Sequence, residues 1–173
     1  MTRTPPAWRL WLATVLRLVL AGVLAAAGAL KLPEPASSVR AVRAYQLLPE
    51  TIVPTVGYVL PLLELAVALL LLLGLATRLA ATVAGLLMVA FIIGIASAAA
   101  RGLSIDCGCF GGGGQVAAGA TRYTQEILRD VGLLLAAGFL VIWPASRLSL
   151  DHTPDTRPAA ADPTPEELHD DVR

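Results

Sequence analysis

The chain has 173 residues, of which 56% are hydrophobic and 15% charged, with a mean hydropathy of +0.71 and no net charge. That is more apolar surface than a water-soluble domain of this size can hide, so a lipid bilayer is the expected solvent. The neutral balance averages a basic body, with ten Lys/Arg against six Asp/Glu in residues 1–143, and an acidic tail, with three against seven in 144–173. The basic residues are dispersed between apolar runs rather than clustered, which argues against nucleic-acid binding.

The first apolar run, Leu10 to Leu30, carries one charge, Arg17, and spans about 30 Å as a helix, enough to cross the hydrocarbon layer. Arg17 inside the run, and further spans after it, argue for a retained helix rather than a cleaved signal peptide. Residues 31–53 hold Pro33, Glu34, Pro35, Arg40, Arg43 and Glu50, an expensive set to place in lipid, so this stretch is extramembrane. Val39, Val42, Leu47 and Leu48 recur in it at roughly helical spacing and predict a short interfacial helix.

Two further spans follow at about 54–75, with Glu64 as its only charge, and 79–100, with none. Residues 101–123 are polar and glycine-rich, carrying Asp106-Cys107-Gly108-Cys109-Phe110 and the glycine run 111–114, which reads as a hinge. A fourth span, 124–143, opens with Glu126, Arg129 and Asp130 on one helical face, a pattern that a local salt bridge accounts for. The predicted fold is therefore all-α: a four-helix transmembrane bundle over residues 1–143, then a disordered, acidic, Pro-rich tail over 144–173 that holds both histidines, His152 and His169.

Four spans put both termini on one face and residues 31–53 together with the cysteine loop on the other. Trp8, Trp11 and Trp143 gather at the terminal face as an interfacial belt. Counting short-loop Lys/Arg does not orient the bundle, because Arg3, Arg9, Arg78 and Arg147 are opposed by Lys31, Arg40, Arg43, Arg101 and Arg122. A persistent disulfide needs an oxidising compartment, which favours an extracytoplasmic cysteine loop, cytoplasmic termini and a multi-pass protein of the plasma membrane.

Arg17 and Glu64 lie at similar depth in adjacent antiparallel spans, and pairing them is the cheapest way to hold two charges in lipid. Such a pair either pins helix register or, with Lys31 or Arg129, lines a polar cavity for a quinone head group or a proton relay. Cys107 and Cys109 supply an attacking thiol and a resolving thiol, and Gly108 frees the backbone between them. A disulfide across so short a ring stabilises little, so exchange is expected rather than stapling. Asp106 would raise the Cys107 thiol pKa, whereas Arg101, Arg122 or Arg129 would lower it. Two-coordinate Cu(I) on the thiolates is the remaining metal alternative, and the glycine run lacks the Lys-Ser/Thr of a phosphate loop.

Arg17, Gly28 and Lys31, then Tyr45-Gln46-Leu47-Leu48-Pro49, Pro61 with Glu64, and Arg101-Gly102 ahead of Asp106-Cys107-Gly108-Cys109-Phe110-Gly111 together resemble the MauE branch of the DoxX-like membrane proteins. The resemblance spans residues 10–143 and implies a four-helix membrane fold with a redox-associated role. MauE is linked to maturation of methylamine dehydrogenase, whose small subunit is rich in disulfides, and DoxX-like relatives are described as membrane components of oxidoreductase systems, some associated with quinones. The expectation is a membrane dithiol that exchanges with a thioredoxin-like partner or a disulfide-containing client. The alternatives are a non-catalytic scaffold of a larger oxidoreductase complex and a small-molecule or Cu(I) transporter.

Overall fold

A computed structural model describes residues 6–117, 119–144, 146, 149 and 150. Five helices follow in order: α1 (Ala7–Lys31), α2 (Pro35–Ala44), α3 (Val53–Leu73), α4 (Thr77–Ala100) and, after a two-stranded ribbon, α5 (Tyr123–Ile142). In the ribbon, β1 (Ile105–Asp106) pairs antiparallel with β2 (Gly114–Gln115). Apart from residues 144, 146, 149 and 150, the tail with its two histidines lies outside the described residues.

Helices α1, α3 and α4 are each long and apolar enough to cross a bilayer, with mean hydropathies of 2.1, 2.4 and 2.5. Their outward faces carry bare Leu and Ile, such as Leu62, Leu69, Leu79, Leu86 and Ile93. In water that surface would be an aggregation hazard, and in hydrocarbon it is the correct exterior. The interior instead is built from small residues. Ala13 and Ala21 of α1, Ala68 of α3, Ala80, Ala81 and Ala84 of α4, and Ala137 of α5 form the core with Leu20, Leu24, Leu71 and Leu140. Lipid tails are as apolar as leucine, so helices in a membrane gain by approaching closely rather than by escaping solvent, and small side chains permit that approach.

Two glycines mark close helix–helix contacts. A Cβ on Gly28 of α1 would fall 2.7 Å from Leu65 Cγ and 2.9 Å from the Pro61 carbonyl oxygen of α3. A Cβ on Gly57 of α3 would fall 2.7 Å from Val39 Cα of α2, so α2 is seated directly on the head of α3. Its residues Ser37, Ser38, Val39, Ala41 and Ala44 are buried. The predicted interfacial helix is thus an integral layer of the fold, ending at Ala44 before Leu47 and Leu48.

The chain turns between α3 and α4 through Gly74, in the left-handed region at φ 65°. At the same end, the Arg9 guanidinium stacks 5.5 Å from the Trp8 ring and 5.4 Å from the Trp143 ring, joining the start of α1 to the end of α5.

Gly57→Ala should push α2 off α3 and lower stability in detergent by about 1–3 kcal/mol. Gly132→Ala, at a helical glycine with nothing within 4 Å of the added methyl, should not. Thermal unfolding of the two variants measures the difference.

Candidate functional site

The loop after α4 folds back as the short ribbon, with Ile105 opposite Gln115 and Asp106 opposite Gly114, so Cys107 to Gly113 form its tip. Tyr123, at the start of α5, clamps the ribbon's base: its hydroxyl accepts from the Ile105 N–H at 3.1 Å and donates to the Leu103 carbonyl. The glycine run is not a hinge here. Its last residue, Gly114, belongs to β2, and Gly113 and Gly108 both lie so near Ala41 of α2 that a Cβ on either would fall 2.6 Å from the Ala41 methyl. Both glycines have positive φ, 87° and 69°. Close approach and backbone conformation demand glycine at these two positions together.

The two thiols are unequal. Cys109 is buried, at 5% exposure, and Cys107 is partly open. Both are free thiols. The Cys109 N–H donates to Cys107 Sγ at 3.3 Å, and the Tyr45 hydroxyl donates to the Cys107 carbonyl at 3.3 Å. Hydrogen bonding from the Cys109 side chain pulls the Cys107 thiol below the usual thiol range against the opposing effect of burial. The Cys109 N–H and the Arg129 charge act in the same direction, and Glu126 opposes them. The Cys109 thiol is pushed up, first by that same bond to Cys107 and then by burial. Geometry and charge therefore both make Cys107 the more readily ionised of the two thiols.

Of the arginines considered from sequence, Arg129 is the one whose charge bears on both thiols, and it also lies 4.9 Å from the Phe110 ring. Arg101 is engaged with the backbone carbonyls of Tyr45 and Gln46. Asp106 turns to the backbone, its Oδ1 accepting from the Gly108 N–H at 3.1 Å. Sequence reasoning missed Glu126, whose carboxylate converges with Asp106 and Cys107 Sγ to within 4.8 Å. The available signal was that Glu126 stands in the first turn of the helix onto which the cysteine loop must return.

Glu64 is not paired with Arg17. Both of its carboxylate oxygens accept from Lys31 Nζ, at 2.7 and 2.8 Å, with the side chains 1% and 4% exposed. The reason is direction. Side chains on a helix tilt toward its N-terminus. Glu64, on α3, therefore leans up toward the cysteine face, Lys31, at the end of α1, leans down from that face to meet it, and Arg17 leans the other way. The Arg17 guanidinium lies at the opposite end of the bundle, where a Cβ on Gly74 would fall 1.8 Å from Nη1.

Between α2, α3, α4 and the loop is an apolar chamber of about 230 Å³ whose wall includes both cysteines, Lys31, Ser38 and Tyr45. Its lining on α4 runs from Gly94 to Leu87, which at about 1.5 Å per residue carries it roughly 10–20 Å down from the end of that helix. An apolar cavity of about 150 Å³ is enough to hold a benzene ring.

Such a fold and site define a small helical membrane protein that presents two unequal thiols on a loop seated at one face of the bundle. Residues 9–143 match the family described as methylamine utilisation protein MauE, and the chain belongs to that family. No curated protein and no solved structure matches it.

In a double-mutant cycle Lys31→Met and Glu64→Gln should each cost about 3 kcal/mol or more, and the double variant much less than their sum, because a lone buried charge costs more than none. Arg17→Met and Glu64→Gln should be additive. Unfolding free energies in detergent test both.

Proposed function

We propose that this protein is a membrane thiol–disulfide relay in which Cys107 attacks and Cys109 resolves. The observation that carries this reading is the inequality of the two thiols across one glycine: a partly open sulfur that accepts the Cys109 N–H and ionises more readily, backed by a buried one that ionises less readily. A structural disulfide has no use for that asymmetry, whereas exchange needs a low-pKa attacker and a second thiol within reach of the mixed disulfide. In this reading α5 is the fourth span, entering the membrane through its charged first turns. The termini are then cytoplasmic and the cysteine loop faces the extracytoplasmic side of the plasma membrane, where a thioredoxin-like protein or a disulfide-bearing client meets Cys107.

The membrane side of the relay is a lipid-soluble quinone in the chamber behind the thiols. A dithiol gives up two electrons and two protons on forming a disulfide, which is the change that turns a quinone into a quinol. The chamber's apolar wall, its reach into the hydrocarbon depth and the cysteines in its roof support this assignment.

Cys109→Ser should trap partners as mixed disulfides on Cys107, identified by mass spectrometry, and Cys107→Ser should trap few or none. If neither variant captures a partner, the protein is a scaffold rather than a relay. Ala90→Trp, which fills the chamber from α4, should keep the trapping by Cys109→Ser in the double variant. On its own it should slow re-oxidation of the dithiol by a short-chain ubiquinone about tenfold or more. Unchanged re-oxidation would remove the quinone from the scheme.

A further inference from the structure

Beneath Cys109, on the side away from the chamber, is a second and much smaller cavity of about 20 Å³, room for a single water molecule. Cys109 and Phe110 roof it, Glu64 of α3 borders it, and Arg129 and Asp130 of α5 close it. Asp130 is 1% exposed, the most buried acid after Glu64 among the described residues. Its Oδ1 is held by the neighbouring arginine, accepting from Arg129 Nε at 2.8 Å and lying 2.7 Å from Nη2. Its Oδ2 is buried with no hydrogen-bond partner among the described residues. A local salt bridge explains the first oxygen and leaves the second unexplained, because burying an unsatisfied carboxylate oxygen costs about 1–3 kcal/mol or more.

We infer that Asp130 is the proton acceptor for the resolving thiol, taking the Cys109 proton across this one-water cavity and returning it when the reaction runs backwards. The inference rests on the relay reading above. The chemistry requires such a group: Cys109 is buried, and a thiol attacks only as thiolate. The other charged groups are excluded by commitment or by position. Glu64 is held by Lys31 through both oxygens and Arg129 is a permanent cation, while Glu126, which also keeps a buried Oε2 without a partner among the described residues, does not line the cavity and converges on Cys107 instead. Arg129 also gives the Cys109 thiolate a counter-charge while Asp130 carries the proton.

The Cys107 thiolate attacks a partner disulfide, one partner sulfur leaves as thiolate and the other is bonded to Cys107. The Cys109 proton passes to Asp130 Oδ2, the Cys109 sulfur attacks Cys107 Sγ, and the second partner sulfur leaves as thiolate. The Cys107–Cys109 bond has formed, and two electrons have passed to the partner. In reverse, a partner thiolate opens the Cys107–Cys109 bond and the proton on Asp130 returns to Cys109.

An aromatic disulfide with a coloured leaving thiolate, 5,5′-dithiobis(2-nitrobenzoate), separates the two stages in the purified, detergent-solubilised protein. The first release reports attack by Cys107 and the second reports resolution by Cys109. In Asp130→Asn the first release should stay within about twofold of the unmodified protein, and the second should slow about 100-fold at neutral pH. That deficit should narrow as pH rises and Cys109 ionises without help. A second release at the unmodified rate, or one slowed equally at every pH, overturns the assignment. Should the substitution abolish the first release as well, the unmodified protein decides: a solvent deuterium isotope effect confined to the second release upholds Asp130, and equal effects on both releases overturn it. The relay reading fails differently, through an unmodified protein that gives one release and never forms the Cys107–Cys109 bond.

Discussion

The ion pair between Lys31 and Glu64 is the constraint on which the rest of this structure hangs. Two charges that deep in a bundle of alkyl side chains are tolerable only in contact, and their contact fixes how far α1 and α3 slide past each other. That register brings Gly28 onto Leu65 and Pro61. It also places the C-terminal end of α1 beside the cysteine loop, where a Cβ on Gly111 would lie 3.4 Å from the Leu30 carbonyl oxygen. The pair borders both cavities, with Lys31 in the chamber wall and Glu64 in the smaller cavity under Cys109. A single structural contact thus sets the geometry on both sides of the thiols.

Much of the architecture was legible in the sequence because hydrocarbon is a simple solvent. Runs of Leu, Val, Ala and Ile longer than about 20 residues have few alternatives to a spanning helix, and α1, α3 and α4 lie on the first three such runs. The Cys107-Gly108-Cys109 loop was legible for a similar reason, since two cysteines in 173 residues admit few chemistries. The partner of Glu64 was not. Depth along the helix axis alone makes Arg17 and Glu64 neighbours, while the tilt of side chains toward their own N-termini sends them apart. Lys31, four residues short of α2, has the sequence position of a membrane-edge residue and is buried, as Arg17 also is.

The charges of α5 teach a related lesson. Glu126, Arg129 and Asp130 sit on one face, and their spacing alone suggested a self-contained cluster. In the structure only Arg129 and Asp130 are bonded to each other, while Glu126 turns to Cys107 and Asp130 keeps one oxygen in the core. What spacing could not reveal is where the intervening loop returns. The ribbon, the Tyr123 clamp and the seat on Ala41 decide that, and each depends on contacts between segments distant in sequence.

The burial of Cys109 behind Cys107 also determines how the site meets small oxidants. A peroxide molecule reaches the partly open Cys107 first, and attack by its ionised form leaves a sulfenic acid there. Further oxidation of that group to a sulfinic acid is irreversible for most proteins, but here a thiol two residues away is positioned to condense with it and expel water. The recess that holds Cys109 also shields it from bulky reagents, so under the proposed relay accidental oxidation of Cys107 ends in the same disulfide that the exchange itself forms.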